Sequence, residues 1–93
     1  MTYRLVFEKR ALKEWEKLGD TIKQQFKKKL AERLDNPHVP ASRLSGQTHR
    51  YKIKLKSSGY RLVYQVNDDE IILLVIAVGK REGNEVYISA DYR

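Results

Sequence analysis

The sequence predicts an α+β fold with the element order β-α-α-β-β-β, an antiparallel sheet carrying a two-helix hairpin on one face. Three observations predict it. Apolar residues between 20 and 35 recur every fourth position, which is helical spacing. Between 51 and 66 they recur every second position, which is strand spacing. The run "IILLVIAV" at 71–78 is apolar throughout, which suits a strand covered on both faces. A length of 93 residues fits one domain over 1–93.

Taken in order, "TYRLVF" alternates Tyr3, Leu5 and Phe7 against Thr2, Arg4 and Val6 and reads as a short strand. "KRALKEWEKL" places Ala11, Leu12, Trp15 and Leu18 at helical spacing, with Gly19 as a stop signal and Trp15 expected in the core. Asp20 is the expected cap of a second helix, whose stripe is Ile22, Phe26, Leu30 and Leu34, with the lysines at 27–29 on the wet side. "DNP" at 35–37 ends it, because a residue before proline avoids the α region. Residues 37–50 are a loop with one short extended piece. Tyr51, Ile53 and Leu55 then alternate with Lys52, Lys54 and Lys56, and "SSG" supplies a turn with a glycine available for positive φ. Leu62, Tyr64 and Val66 form the next strand, "NDDE" the next turn, and Gly79 is expected to end the apolar strand. The polar tail "KREGNEVYISADYR" is expected to hold a weak helical turn at most. The helices bury their stripes on the face of Ile53, Leu55, Leu62 and Tyr64, which leaves Lys52, Lys54, Lys56 and Arg61 on an uncovered face.

Composition narrows the function. The formal net charge is +7, with 33% of residues charged and 41% hydrophobic. The charge is uneven. Residues 1–35 hold ten Lys/Arg and six Asp/Glu, residues 36–67 hold six Lys/Arg and no acid, and residues 68–93 hold three Lys/Arg and six acids. A one-signed segment favours an anionic partner: nucleic acid, an acidic protein or an anionic surface. The absence of cysteine excludes disulfides, thiolate metal sites and a cysteine nucleophile. No apolar run is long enough to span a bilayer and no signal peptide is visible, so no membrane partner and a cytoplasmic location are expected.

The lysine ladder has a dull reading, a solvated outer face that protects a sheet edge. Against it stand the missing acids and the interleaved Tyr51, Tyr60 and Tyr64, which together suit a phosphate backbone. RNA cleavage through the 2′-hydroxyl needs a proton acceptor, a proton donor and cations on the phosphorane. His38, in "NPHVP", is expected to be structural. His49, just before the basic strand, is a candidate RNA contact. The two have neither metal-ligand spacing nor accompanying carboxylates, so no metal and no cofactor are expected. Lysine can substitute for histidine where neighbouring positive charge lowers its pKa. In "GKREGNEVY", Arg81 is a candidate phosphate ligand or proton donor and Tyr87 a stacking residue, while Glu82 and Glu85 are expected charge partners. Arg43, Arg50, Lys56 and Lys80 complete the candidate phosphate contacts. The "KKK" run is a solvated helix face or a secondary RNA contact.

The ordered set "YKIKL", "SSGYRLVY", "VGKRE" and "VY", with "FEKRALKEWEKL" upstream, resembles the RelE toxins of bacterial toxin–antitoxin pairs over roughly residues 3–87. The resemblance implies a microbial-ribonuclease-like fold and a metal-independent mRNA interferase, an endoribonuclease that cuts mRNA in the ribosomal A site and halts translation. Carried over by motif, Lys52 and Lys54 take base and charge-stabilising roles and Arg61 holds the phosphate. Arg81 stabilises the transition state or protonates the leaving oxygen, and Tyr87 stacks on or orients the nucleotide. The implied partners are mRNA on the ribosome with its ribosomal RNA, a RelB-like antitoxin, and operator DNA only as a complex with that antitoxin. The family closes with a C-terminal helix, whereas "ISADYR" reads as a poor helix former. Two alternatives stay open, a non-catalytic RNA- or ribosome-binding module and a ParE-like gyrase-inhibiting toxin; the K-x-K, G-Y-R and G-K-R set argues against the second.

Overall fold

The computed structural model describes residues 2–44, 49–80 and 85–91. The elements in chain order are β1 (Arg4–Phe7), α1 (Lys9–Glu16), α2 (Asp20–Asp35), a 3-10 turn (Pro40–Ser42), β2 (Arg50–Leu55), β3 (Tyr60–Asn67), β4 (Ile72–Lys80) and α3 (Glu85–Asp91). The strands form one sheet in the order β1-β4-β3-β2. The last three strands are the expected antiparallel meander. β1 joins its outer edge parallel to β4, so the sheet as a whole is mixed. Alternation within a strand says which face a residue takes and nothing about direction, so the parallel pairing was not legible.

The turns follow their residue chemistry. Gly59, in the β2–β3 turn, takes φ 76°, which a side chain would resist. At the other turn Ile71 sits at φ 56°, a strained position for a β-branched residue. The second helix is capped differently from the expectation: Gly19 is the N-cap, in extended conformation, and Asp20 is already inside the first turn. There its carboxylate still favours the positive helix end. α1 is capped by Glu8, whose carboxylate accepts from the amides of Arg10 and Ala11. Asn36, before Pro37, leaves the helical region at φ −148°, ψ 71°.

The main core lies between the helices and one sheet face. Ala11, Leu18, Phe26 and Leu30 pack there against Ile53, Leu55, Leu62, Tyr64, Leu73, Val75 and Val78. Trp15 joins it between Phe7 and Phe26, with ring centroids 5.3 and 6.1 Å away. Leu12, expected on the α1 stripe, is 43% exposed, because Ala11 takes the contact instead. The second face is not bare. α3 covers part of it, with Val86 and Ala90 on Val63, Ile76 and Ala77. The weak tail therefore makes a real helix, held by the apolar strand beneath it and not by propensity. A bulge between Val63 and Tyr64 makes Ile76 the extra residue on β4 and puts it on the α3 side. β4 runs on through Gly79 to Lys80 instead of ending at the glycine.

A candidate phosphate-binding site on the sheet

Strand pairing sets the site. Lys54 of β2 lies directly opposite Arg61 of β3, and Arg61 lies opposite Gly79 of β4. This row crosses three strands on the face away from α1 and α2. Opposed residues hold their Cβ atoms about 4.5–5.5 Å apart, so two cations sit side by side. Gly79 adds no side chain to the row. Lys52, two residues from Lys54, shares their face and is opposite Val63. Tyr87 rides on α3 and packs on the Val63, Ile76 and Ala77 cluster, which is the same face.

Arg61 departs from the expectation of an exposed cation. It is only 9% exposed. Its Nη1 donates to the Tyr60 carbonyl at 3.1 Å, and its Nε is buried without a hydrogen-bond partner. The Tyr60 carbonyl, a neutral acceptor, is the partner of this guanidinium. A buried cation without a counter-charge is costly, and an incoming anion relieves that cost. Arg81, expected to complete the site, lies outside the described residues, as does Glu82.

The other candidates divide. Lys80 ends β4 opposite Tyr60 and lies over its ring at 5.5 Å. Lys56 is exposed in the β2–β3 turn. Arg43 is exposed and bridges Tyr51 at the outer edge of β2. Arg50 is already engaged: Nε donates to the Gln65 side chain at 3.2 Å and Nη1 to the Ala90 carbonyl at 2.7 Å. It ties β2 to the end of α3.

His38 binds the fold together. Its Nε2 is 2.8 Å from Asp68 and its Nδ1 2.8 Å from the Tyr51 hydroxyl. An ionised carboxylate only accepts, so Nε2 is the donor and, in the neutral ring, Nδ1 accepts from Tyr51. The same Asp68 oxygen also accepts from the Tyr3 hydroxyl at 2.6 Å. The bond from Tyr3, then that from His38, holds the Asp68 carboxyl below its usual range. The same carboxylate raises the Tyr3 phenol. His49 stands at an acidic cleft with Asn67, Asp68, Asp69 and Glu70, beyond the opposite end of β2 from the turn that carries Lys56. Among the described residues no group of three His, Asp or Glu side chains is placed to hold a metal ion.

Arg33 was missed by sequence reasoning. It donates to the Tyr64 hydroxyl at 2.8 Å and to Ser42 at 3.2 Å, and its guanidinium lies 5.8 Å from the Tyr64 ring centre. Tyr64 in turn donates to the Pro37 carbonyl at 2.7 Å. Burial pushes the Tyr64 phenol up, opposed by Arg33. The signal was available: Arg33 follows Phe26 and Leu30 at seven and three residues, on the buried flank of α2.

Comparison with known proteins places the chain among relatives. The family model described as "ParE toxin of type II toxin-antitoxin system, parDE" matches residues 5–85. The chain is 58% identical to mRNA interferase toxin RelE of Escherichia coli strain K12, over 100% of this chain and 98% of that protein. A solved mutant of E. coli toxin RelE in the free state superposes with a TM-score of 0.92 at 56% identity, covering 100% of this chain and 98% of the other. RelE in the intact E. coli RelBE toxin–antitoxin complex gives 0.83 at 57% identity, covering 86% of this chain and 98% of that one.

Proposed function

We infer the activity from a family premise: the chain belongs to the ParE toxin family of type II toxin–antitoxin systems and, within it, to the RelE toxins. It acts as an mRNA interferase, an endoribonuclease toxin that cuts mRNA in the ribosomal A site and so stops translation. A RelB-like antitoxin holds it inactive, and toxin and antitoxin together repress their operon. The observation that carries this reading is Arg61, a buried guanidinium with an unpartnered Nε directly across from Lys54. A site built of cations alone binds phosphate before it does anything else.

The chemistry follows from that set. The substrate 2′-hydroxyl attacks the adjacent phosphorus, its proton passes to a lysine, and the P–O5′ bond breaks as the 5′-oxygen takes up a proton. The products are a 2′,3′-cyclic phosphate and a free 5′-hydroxyl. Lys52 and Lys54 serve as base and charge stabiliser, and Arg61 holds the non-bridging oxygens as charge builds on them. Arg81 stabilises the phosphorane or protonates the leaving oxygen, and Tyr87 orients the nucleotide. Neither described histidine lies on this row, so orientation of the substrate falls to the ribosome, and free RNA is cut poorly.

The test is a cleavage assay on programmed ribosomes with mRNA ends mapped. Wild type cuts within the A-site codon, and Lys54→Ala and Arg81→Ala cut at least a hundredfold more slowly. Absence of an A-site cut, or equal cutting by both variants, overturns the assignment. A gyrase supercoiling assay run alongside shows no inhibition.

A further inference from the structure

We infer that Arg50, expected as a phosphate contact, is a positioning residue: it clamps the C-terminal turn of α3 and thereby holds Tyr87 against the row of Lys54 and Arg61. The inference rests on the nucleotide-orienting role given to Tyr87 above.

α3 has little of its own to hold it in place. It is seven residues long, Glu85–Asp91, with no basic residue in its last turn. A helix that short is unstable in isolation. Its last carbonyls have no intrahelical donors and form the negative end of the helix dipole. Its buried anchors among the described residues are Val86 and Ala90, both small.

β2 supplies what the helix lacks. Arg50, Lys52 and Lys54 stand at every second position of β2, opposite Gln65, Val63 and Arg61, and so share the face that α3 covers. Arg50 Nη1 donates to the Ala90 carbonyl at 2.7 Å, a charge-assisted bond at an orphan helix carbonyl. Its Nε donates to the Gln65 side chain at 3.2 Å, and Gln65 donates on to Asn67 at 3.0 Å, so the guanidinium is itself steered. The Arg50 carbonyl accepts from the Leu44 amide at 2.9 Å, which pins the strand at that point.

The clamp reaches Tyr87 through the helix. The first turn of α3 is set by Val86, whose Cβ lies 3.9 Å from where a Gly79 Cβ would stand. Gly79 is opposite Arg61, in the row with Lys54. Tyr87 follows Val86, and Ala90 lies one turn further, about 4.5 Å along the axis. An apolar contact such as that of Val86 is non-directional and fixes the height of the helix above the sheet, not its rotation. The bond from Arg50 to the Ala90 carbonyl is directional and fixes rotation and register together. Its loss lets the Tyr87 ring swing away from the row.

The experiment uses wild type, Arg50→Met, Arg50→Lys, Tyr87→Ala and the double variant Arg50→Met/Tyr87→Ala. KM and kcat are measured on programmed ribosomes at several salt concentrations, and amide hydrogen exchange is followed by NMR. Arg50→Met is expected to lower kcat about tenfold, which is about 1.4 kcal/mol, at unchanged KM and unchanged salt dependence. Exchange in α3 should speed up by about tenfold while the amides of Leu62 and Tyr64 in β3 keep wild-type rates. Arg50→Lys, which keeps a cationic donor for the carbonyl, should fall between Arg50→Met and wild type in both readouts. In the Tyr87→Ala background Arg50→Met should lower kcat no further, because its effect passes through the lost ring. A rise in KM with a salt slope smaller by roughly 0.7–0.9 marks a direct phosphate contact and overturns the inference. Additive losses in the double variant, or faster exchange throughout the sheet, overturn it as well. If wild type cuts no mRNA, the catalytic reading fails, and faster exchange confined to α3 still upholds the clamp.

Discussion

Replacing Arg61 by methionine should make the protein more stable and nearly inactive. The side chain is 9% exposed, its Nε has no partner, and it faces Lys54 across the β2–β3 pair. An unsatisfied buried donor costs about 1–3 kcal/mol. Like charges directly opposite on neighbouring strands add about 0.2–1 kcal/mol. Methionine has a similar length, brings neither penalty, and forfeits the bond from Nη1 to the Tyr60 carbonyl, worth about 1.5 kcal/mol. The balance favours the variant by about 1 kcal/mol, which for a domain of this size raises Tm by about 4–8 °C. Thermal unfolding at pH 7 in low salt reads this directly. Added sulfate should stabilise wild type more than the variant, because only wild type offers the buried guanidinium to an anion. Cleavage on programmed ribosomes should fall by about 10²–10³, the usual loss when one donor to a developing oxyanion is removed. A variant that is 1 kcal/mol less stable than wild type, or one that still cuts mRNA, would refute the reasoning.

Three further outcomes are expected. Asp68 has a depressed pKa in the fold, so its contribution is present above the ordinary carboxylate range and is lost as pH falls through the lowered folded value; the urea midpoint of Asp68→Asn should therefore change less than that of wild type between pH 5 and pH 2. Ile71→Asn should stabilise the fold by about 1 kcal/mol, read as a higher urea midpoint at constant m, because Asn tolerates the φ of 56° that strains a β-branched residue. Arg33→Ala should cost about 1–2 kcal/mol, read by the same titration, since the Tyr64 hydroxyl keeps its bond to Pro37 while the bond to Ser42 and the ring contact are lost.

Most of the fold was legible in the chain. The every-fourth stripe of Phe26 and Leu30 and the every-second pattern of Tyr51, Ile53 and Leu55 each report which face meets the core. Periodicity reports it because burial acts on one face of a helix or strand at a time. α3 was not legible, since Val86 and Ala90 find their partners on Val63 and Ala77, which belong to other elements of the chain. Of the site, the cations and their order could be read off the motifs. The split between engaged and waiting cations could not. Arg50 is bound to Gln65 and the Ala90 carbonyl, Lys80 to the Tyr60 ring, and Arg61 keeps a donor unused.

By itself the sequence determined the helices and the meander, the one-signed charge between 36 and 67, and membership in a toxin family, because period, composition and motif order are local properties of a chain. Tertiary structure alone decided that β1 runs parallel to β4, that α3 covers part of the supposedly bare face, and that Arg61 is buried opposite Lys54. Those are statements about which distant segments share a wall. Burial and dielectric, which turn a surface arginine into a phosphate trap, exist only once that wall is built.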